Sequence, residues 1–293
     1  MITNEHVPAA DSLYVTVDDR RLHYLRAGDS GPPLVFLHGG GVDDATVSWK
    51  HAVPYFAERY QVYALDWPGY GESDDAGVTP TTEFYTETLA GFLDAVGLDS
   101  ATLVGISMGG AAALTLAVRD PARVDRLALV DSYGLSDAVP GGIGSYFLAN
   151  APFANTFGRF AFGANRAAAR TALRNIVYDA DAVDGEFVDD VRDRIRRPDS
   201  GEDFVAYLRH EFSPSGVRTS HETNFASVRI PTLVAHGRED PLLPVEWSEA
   251  AARSLPNGEL AVFEECGHWP PRERPVQFNE TLADFLARTS PQP

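Results

Sequence analysis

Cysteine and lysine are almost absent from this sequence, and positive charge is scarce. The 293 residues contain one cysteine, Cys266, and one lysine, Lys50. A lone cysteine excludes an internal disulfide framework and a metal cluster of cysteines alone, which agrees with a reducing compartment. The formal net charge is −18, from 24 basic and 42 acidic residues. This charge argues against nucleic-acid binding, because no basic surface is available to neutralise phosphates.

Long apolar stretches are also missing. No run approaches the roughly 20 consecutive apolar residues of a membrane-spanning helix, and the start, MITNEHVPAADS, has no basic segment followed by an apolar one. We therefore expect a cytoplasmic protein without a membrane partner, and a homo-oligomer is compatible with the sequence.

The acid excess favours a halophilic source, where salt screens like charges. A GC-rich genome would explain the missing lysine but not the acid excess.

Short apolar runs alternate with longer helical patterns, which is typical of an α/β fold with a mostly parallel sheet. The longer patterns between the runs predict helices, one of them over Val47–Glu58. The first two runs are separated by a short polar segment that includes Asp18, Asp19 and Arg20, and they predict an antiparallel hairpin. The eight predicted strands are Leu13–Val17, Leu22–Arg26, Leu34–Leu37, Val62–Leu65, Thr102–Gly105, Arg126–Val130, Thr232–Ala235 and Leu260–Phe263.

Residues 132–229 interrupt this alternation. The segment contains helical patterns, such as Arg166–Val177 and Glu186–Arg196, and no convincing strand. It opens with the glycine-rich and aromatic stretch GLSDAVPGGIGSYF, which is typical of a mobile lid connection. We therefore predict a helical cap at 132–229, inserted after strand 6 into a core formed by residues 1–131 and 230–293.

The strongest chemical signal is a serine between a predicted strand and a predicted helix. The sequence Gly105-Ile106-Ser107-Met108-Gly109 has the GxSxG pattern of a nucleophile elbow, in which small residues allow strand and helix to approach closely. The helix N-terminus there favours a developing negative charge. A chance GxSxG would lack this strand and helix context, so we predict Ser107 as the nucleophile.

A serine nucleophile requires a base and an acid that orients the base. Of eight histidines, His268 follows the last predicted strand in the loop CGHWPPRERP, which fits the chain order serine, acid, histidine. Asp240 in HGREDPLLP lies between the two and follows a strand, so it is the predicted acid. Asp131, after an earlier strand, is the alternative acid. His236 ends a strand and is interpreted as a packing or hydrogen-bonding residue.

The oxyanion formed during acyl transfer needs backbone N–H donors. His38-Gly39-Gly40-Gly41 follows the strand PLVFL, and HGGG loops of this kind form oxyanion holes. We predict donation from the N–H groups of Gly40 and Met108, with Gly41 contacting substrate. The sequence contains no HExxH, P-loop or acceptable dinucleotide motif, so no metal and no cofactor is expected.

These motifs, read with LDWPGYGES and the final FNETLADFL, resemble the α/β-hydrolase superfamily over essentially the whole chain. Within it, HGGG, SMGG, GREDPLLP and CGHW are most similar to the meta-cleavage-product hydrolases, which hydrolyse carbon–carbon bonds. The resemblance implies that a cap arginine, matched by Arg192, binds the substrate carboxylate, and that Trp269 borders the substrate. One departure is Ile106, where that family often has asparagine.

The sequence thus predicts a serine hydrolase that acts on a small-molecule substrate through a Ser-His-Asp triad. Cleavage of a meta-cleavage-type dienoate is the first interpretation, and a carboxylesterase or lipase-like activity is the alternative. A non-catalytic ligand-binding protein of the same fold is the second alternative, because a fold alone does not establish activity.

Overall fold

A nine-stranded, mostly parallel sheet forms the centre of the computed structural model, which describes residues 2–3, 7–151, 165–197 and 201–289. The strand order is β1-β2-β3-β5-β4-β6-β7-β10-β11, with antiparallel pairing from β1 to β5 and parallel pairing from β5 to β11. The α/β prediction and all eight predicted strands are confirmed, and β1 adds a short edge strand. The strands are β1 Ile2–Thr3, β2 Asp11–Val17, β3 Arg20–Ala27, β4 Pro33–Leu37, β5 Gln61–Leu65, β6 Ala101–Ile106, β7 Val124–Val130, β8 Phe212–Ser213, β9 Gly216–Val217, β10 Thr232–Gly237 and β11 Gly258–Phe263.

Helices connect most of these strands. They are α1 Ala45–Trp49, α2 Ala52–Phe56, α3 Thr82–Ala95, α4 Met108–Arg119, α5 Ile143–Ala149, α6 Arg166–Leu173, α7 Gly185–Ile195, α8 Glu202–Glu211, α9 Val245–Ser254, α10 Pro270–Glu273 and α11 Pro275–Arg288. The single helix predicted over 47–58 is wrong, because α1 and α2 are separate. Pro54 has no N–H to donate to the carbonyl of Lys50, and its ring crowds that carbonyl, so a continuous helix is disfavoured there.

Both faces of the sheet are buried, and each has its own apolar core. In β4, Val35 and Leu37 pack on the side of α3, α4 and α9, while Leu34 and Phe36 pack on the side of α1, α2 and α11. Alternate residues of a strand point to opposite faces. The continuous apolar run PLVFL is therefore what a central parallel strand covered on both faces requires.

Helices α5 to α8 lie between β7 and β10, within the predicted cap. The expectation that this segment contains no strand is wrong, since β8 and β9 form a short antiparallel hairpin. A strand of two residues is too short for its sequence to show the alternation of apolar and polar residues that predicts a strand. The cap boundaries at 132–229 stay a prediction. Within the described ranges, no helix is long and apolar enough to cross a membrane.

Candidate active site

Ser107 lies in a strained turn between β6 and α4. Its φ is 51° and its ψ is −118°, an uncommon conformation for a residue with a side chain. A Cβ at Gly105 would lie 2.5 Å from the Gly109 carbonyl oxygen, and one at Gly109 would lie 2.4 Å from that of Leu37. Only glycine fits at either position. The close approach of β4, β6 and α4 therefore fixes the turn that presents Ser107.

His268 and Asp240 meet after β11 and β10. His268 Nδ1 is 2.7 Å from Asp240 Oδ2, and Asp240 Oδ1 accepts a 2.7 Å bond from the Leu242 N–H. Burial alone would raise the pKa of Asp240, but the charge and hydrogen bond of His268 hold it below its usual value. The same pairing raises the pKa of His268, although burial opposes it. Asp240 therefore orients the imidazole and stabilises its protonated form.

The loop that carries His268 is held from two sides. The His268 N–H donates to the carbonyl of Ile176 in the cap at 2.8 Å. Glu273 accepts bonds from the N–H groups of Gly267 at 2.9 Å and Trp269 at 3.0 Å, and from that of Tyr178 in the cap at 2.8 Å. The imidazole is thus positioned by contacts from both the core and the cap.

A cavity of about 200 Å³ brings Ser107 and His268 together. Its wall contains little polar surface beyond these two side chains and one carboxylate. The residues that line it are Gly39, Gly40, Gly41, Val42, Asp43, Ile106, Ser107, Ile176, Phe204, Leu242, His268 and Trp269. Small-molecule sites are typically apolar clefts of this kind with a few convergent polar groups.

The glycine loop after β4 is fixed by a chain of hydrogen bonds that the sequence did not reveal. The Trp269 indole N–H donates to Ser48 Oγ at 2.8 Å, Ser48 donates to Asp43 Oδ2 at 2.7 Å, and the same oxygen accepts from the Gly39 N–H at 2.7 Å. Burial raises the pKa of Asp43 to about 6. The Gly39 N–H is thereby occupied, and Gly40 and Gly41 are the other two glycines of the loop that line the cavity.

His38 supports the same loop and is not among the residues that line the Ser107 cavity. Its Nε2 accepts from the Trp67 N–H at 3.1 Å, and its Nδ1 is 2.7 Å from the Gly39 carbonyl oxygen. Met108 is the first residue of α4, a position whose N–H has no partner within its helix. Gly40 lines the cavity and Met108 directly follows Ser107, and donation from their N–H groups to an oxyanion stays a prediction.

Comparison with known proteins is decisive for the family. A family model described as the alpha/beta hydrolase fold matches residues 32–275. A 2-hydroxymuconate semialdehyde hydrolase of Pseudomonas sp. (strain CF600) is 32% identical over 267 residues, 90% of this chain and 89% of that protein. A 2-hydroxy-6-oxononadienedioate/2-hydroxy-6-oxononatrienedioate hydrolase of Burkholderia vietnamiensis is 32% identical over 97% of this chain and 98% of that one.

The chain belongs to the α/β-hydrolase family. Among solved structures, this hydrolase is similar to the 2-hydroxy-6-oxo-6-phenylhexa-2,4-dienoate hydrolase of Rhodococcus sp. strain RHA1. The identity is 26%, the TM-score is 0.75, and the match covers 95% of this chain and 99% of that chain. The resemblance inferred from the motifs is therefore confirmed at the level of the family.

Two of the three predicted substrate-binding residues line the Ser107 cavity. Gly41 and Trp269 line the Ser107 cavity, whereas Arg192 does not. Arg194, two residues further along α7, borders a smaller adjoining cavity of about 50 Å³ and pairs with Asp44. Arg192 Nε is buried and has no partner among the described residues. Helix periodicity would have predicted which of the two arginines faces the cavity only if the buried face of α7 had been known.

Sequence reasoning also missed several parts of the site. Phe204 in α8 covers the glycine loop after β4, since a Cβ at Gly40 would lie 2.3 Å from its Cδ2. Ile176 completes the cavity from the cap. No local signal marks these cap residues. The available signals were the Asp43-Asp44 pair, which begins two residues after Gly41, and Glu273, five residues after His268.

Proposed function

We propose that this protein is a serine hydrolase that cleaves a carbon–carbon bond in a meta-cleavage-type dienoate, with Ser107 as nucleophile, His268 as base and Asp240 as acid. One observation carries the proposal. A buried His268–Asp240 pair, 2.7 Å apart, shares a cavity with a serine at a strained elbow. The relatives at 32% identity over most of both chains are named as hydrolases of such compounds.

In this reaction the dienol of the substrate first becomes a ketone, as its hydroxyl proton is lost and a carbon of the chain gains a proton. This ketone allows the chain to leave as a dienolate when the substrate's other carbonyl carbon is attacked. Ser107 Oγ then attacks that carbon while His268 accepts the hydroxyl proton. The N–H groups of Gly40 and Met108 stabilise the oxyanion. The carbon–carbon bond breaks, and the dienolate that leaves takes the proton held by His268. His268 then accepts a proton from the water that attacks the acyl group and returns it to Ser107 Oγ as the acid is released.

The substrate carboxylate needs a cation, and the cap helix α7 supplies two candidates. Arg194 borders the cavity that adjoins the Ser107 cavity, and Arg192 has a buried Nε free of partners among the described residues. Loss of one partner of a buried charge pair costs on the order of 2 to 5 kcal/mol. Alanine substitution of the residue that binds the carboxylate therefore impairs dienoate cleavage by that amount and leaves hydrolysis of a neutral ester nearly unchanged.

The substrate class is tested with purified protein against a carboxylated ring-cleaved dienoate and short nitrophenyl esters. The proposal expects dienoate cleavage that is lost in Ser107→Ala. A carboxylesterase is the second candidate, which the apolar cavity wall and Ile106 favour. Brisk ester turnover without dienoate cleavage, and equal effects of the arginine variants on both substrates, would establish that alternative. Binding without any turnover would establish a non-catalytic protein.

We also propose that the protein works in concentrated salt, in the cytoplasm. The −18 net charge supports adaptation to salt, and the single, buried free thiol of Cys266 agrees with a reducing compartment. Fractionation of the producing cells tests the location. Recovery of the protein with a marker of an external compartment would contradict it.

A further inference from the structure

A second buried carboxyl group lies behind the proposed triad. Asp131 follows β7, is fully buried and has a φ of 39°, a left-handed conformation that Asp tolerates better than most residues. Its Oδ1 accepts a 3.0 Å bond from the Gly237 N–H. Side-chain ligand atoms of Asp131, His236 and Asp240 all lie within 4.8 Å of one another.

His236, the third member of this cluster, brings no positive charge. Its Nε2 is 3.0 Å from the Leu243 carbonyl oxygen, which can only accept, so Nε2 carries the proton. Its Nδ1 then accepts from the Ser248 hydroxyl at 2.7 Å. Burial lowers the pKa of His236. The two carboxyl groups therefore share their pocket with a neutral imidazole whose Nε2 is 3.4 Å from Asp240 Oδ2 and 3.5 Å from Asp131 Oδ1.

Two ionised carboxylates cannot be accommodated side by side in such a pocket without a cation between them, so one of them keeps its proton. Asp240 accepts from His268 and from the N–H groups of Leu242 and Leu243, which favours its ionised form. Asp131 accepts from one N–H, and its Oδ2 has no donor among the described residues. Asp131 is thus the group that holds the proton.

We propose that Asp131 is a positioning residue that is protonated at neutral pH and donates a hydrogen bond from Oδ2 to the carboxylate of Asp240. The bond adds a donor to those that already hold Asp240, namely His268 and the N–H groups of Leu242 and Leu243. It fixes the orientation of the carboxylate without adding a second negative charge beside the imidazole. This inference rests on the proposed triad, in which Asp240 orients His268.

The charged surroundings agree with this assignment. Burial and the negative charge of Asp240 raise the pKa of Asp131 well above its usual value, and Glu273 adds to that effect. The other titratable groups that face the cluster are His236, His268 and the thiol of Cys266, which burial keeps protonated by raising its pKa. Of the positive groups nearby, His268 bonds to Asp240 through Nδ1, and Arg274 acts on the neighbouring thiol of Cys266.

Infrared difference spectroscopy detects the proton directly. At neutral pH the wild-type protein should show the carbonyl stretch of a protonated carboxyl group, and Asp131→Asn should lose that band. Burial also raises the pKa values of Asp43 and Glu273, so Glu273→Gln and Asp43→Asn are the matched controls and should keep the band. A band that is absent from the wild type, or that persists in Asp131→Asn, overturns the proposal.

The pH dependence of kcat/KM distinguishes a neutral Asp131 from an ionised one. Asn reproduces a protonated Asp, because its Oδ1 accepts from Gly237 and its Nδ2 donates to Asp240. The acid limb of Asp131→Asn should therefore coincide with that of the wild type, with turnover largely retained. An ionised Asp131 would instead stabilise protonated His268, so its removal would shift the limb downward by about one pH unit or more. That shift would contradict the proposal.

A third variant shows that the hydrogen bond itself matters. Asp131→Ala removes the donor without adding volume to the buried site, and we expect it to lose at least tenfold in kcat while Asp131→Asn does not. Equal activity of the two variants would contradict the positioning role. Failure of the triad would appear separately, as phosphonate labelling that survives Ser107→Ala, whereas the infrared band depends only on Asp131.

Discussion

The strained backbone of Ser107 is held in place by hydrogen bonds to neighbouring parts of the fold. Its positive φ places a side chain where the backbone is strained, and such strain persists only when the surroundings over-determine it. Here the Ser107 N–H donates to the Val130 carbonyl at 2.9 Å, and its own carbonyl accepts from Ala111 and Tyr133, both at 3.1 Å. Three neighbouring elements therefore fix the residue before any substrate binds.

The pairing of His268 with Asp240 leads to a pH-dependent prediction. His268 acts as a base only when neutral, and its raised pKa places the acid limb of kcat/KM above the usual histidine value of 6.5. Asp240→Asn removes the charge that raises this pKa, so the limb should move to lower pH. The maximal rate should also fall, by about 10⁴-fold, because Asn favours the wrong imidazole tautomer.

The matched control for this variant is Asp284→Asn, which changes an exposed acid on α11. It should alter neither the pH profile nor kcat. Pre-steady-state and steady-state rates between pH 5 and 9 supply the measurement. An acid limb that stays in place in Asp240→Asn would mean that another group orients His268.

Among the secondary-structure elements, helix α7 of the predicted cap is attached to the core by buried ion pairs. Asp190 Oδ2, on α7, is 3.3 Å from Lys50 Nζ and 3.2 Å from Arg272 Nη2, and all three side chains are buried. The Arg272 guanidinium also stacks on Phe187, 4.2 Å from the ring centroid. The only lysine of the sequence is therefore part of a buried interface and not of the surface.

Removal of the shared carboxylate should loosen this interface. Asp190→Ala leaves the buried Arg272 guanidinium without its carboxylate, a change that typically costs about 3 to 5 kcal/mol of unfolding free energy, whereas Lys50 keeps Glu186 as a partner at 2.7 Å. Asp193→Ala, an exposed acid on the same helix, is the control and should have little effect. Urea denaturation measures both. Equal stability of the two variants would show that the ion cluster contributes nothing to the attachment of the cap.

The same elements show what a sequence can and cannot predict here. The eight long strands were predictable because each is an apolar run bounded by turns, and Ser107, Asp240 and His268 were found because each follows a strand in a characteristic motif. The break between α1 and α2 had a visible signal in Pro54. The side of α7 that faces the cavity had none, because Arg192 and Arg194 differ only in how the helix is rotated against the core.

At the scale of the whole molecule, net charge is the dominant feature. The sequence has 42 acidic and 24 basic residues. Repulsion among exposed carboxylates destabilises the compact state. The Debye length falls from about 10 Å at 0.1 M salt to about 3 Å at 1 M. Screening therefore weakens this repulsion. The cluster of Lys50, Asp190 and Arg272 is buried, so salt weakens the attraction between its charges only a little.

The Tm should consequently rise between dilute buffer and molar KCl. Potassium chloride is the appropriate salt, because sulfate stabilises most proteins by exclusion from their surface. An isosmotic series in sucrose controls for effects that do not depend on charge. A Tm that is flat or falls across the KCl series would contradict the adaptation to salt.

The central claim is that Ser107 is a nucleophile activated by His268, and covalent labelling with a phosphonate tests it most directly. Mass spectrometry of the labelled, digested protein should find one adduct, on the peptide that contains Ser107. His268→Ala should slow the labelling strongly, and Ser107→Ala should abolish it while circular dichroism and Tm stay unchanged. An adduct that persists in a folded Ser107→Ala protein, or that lies on another residue, would contradict the account.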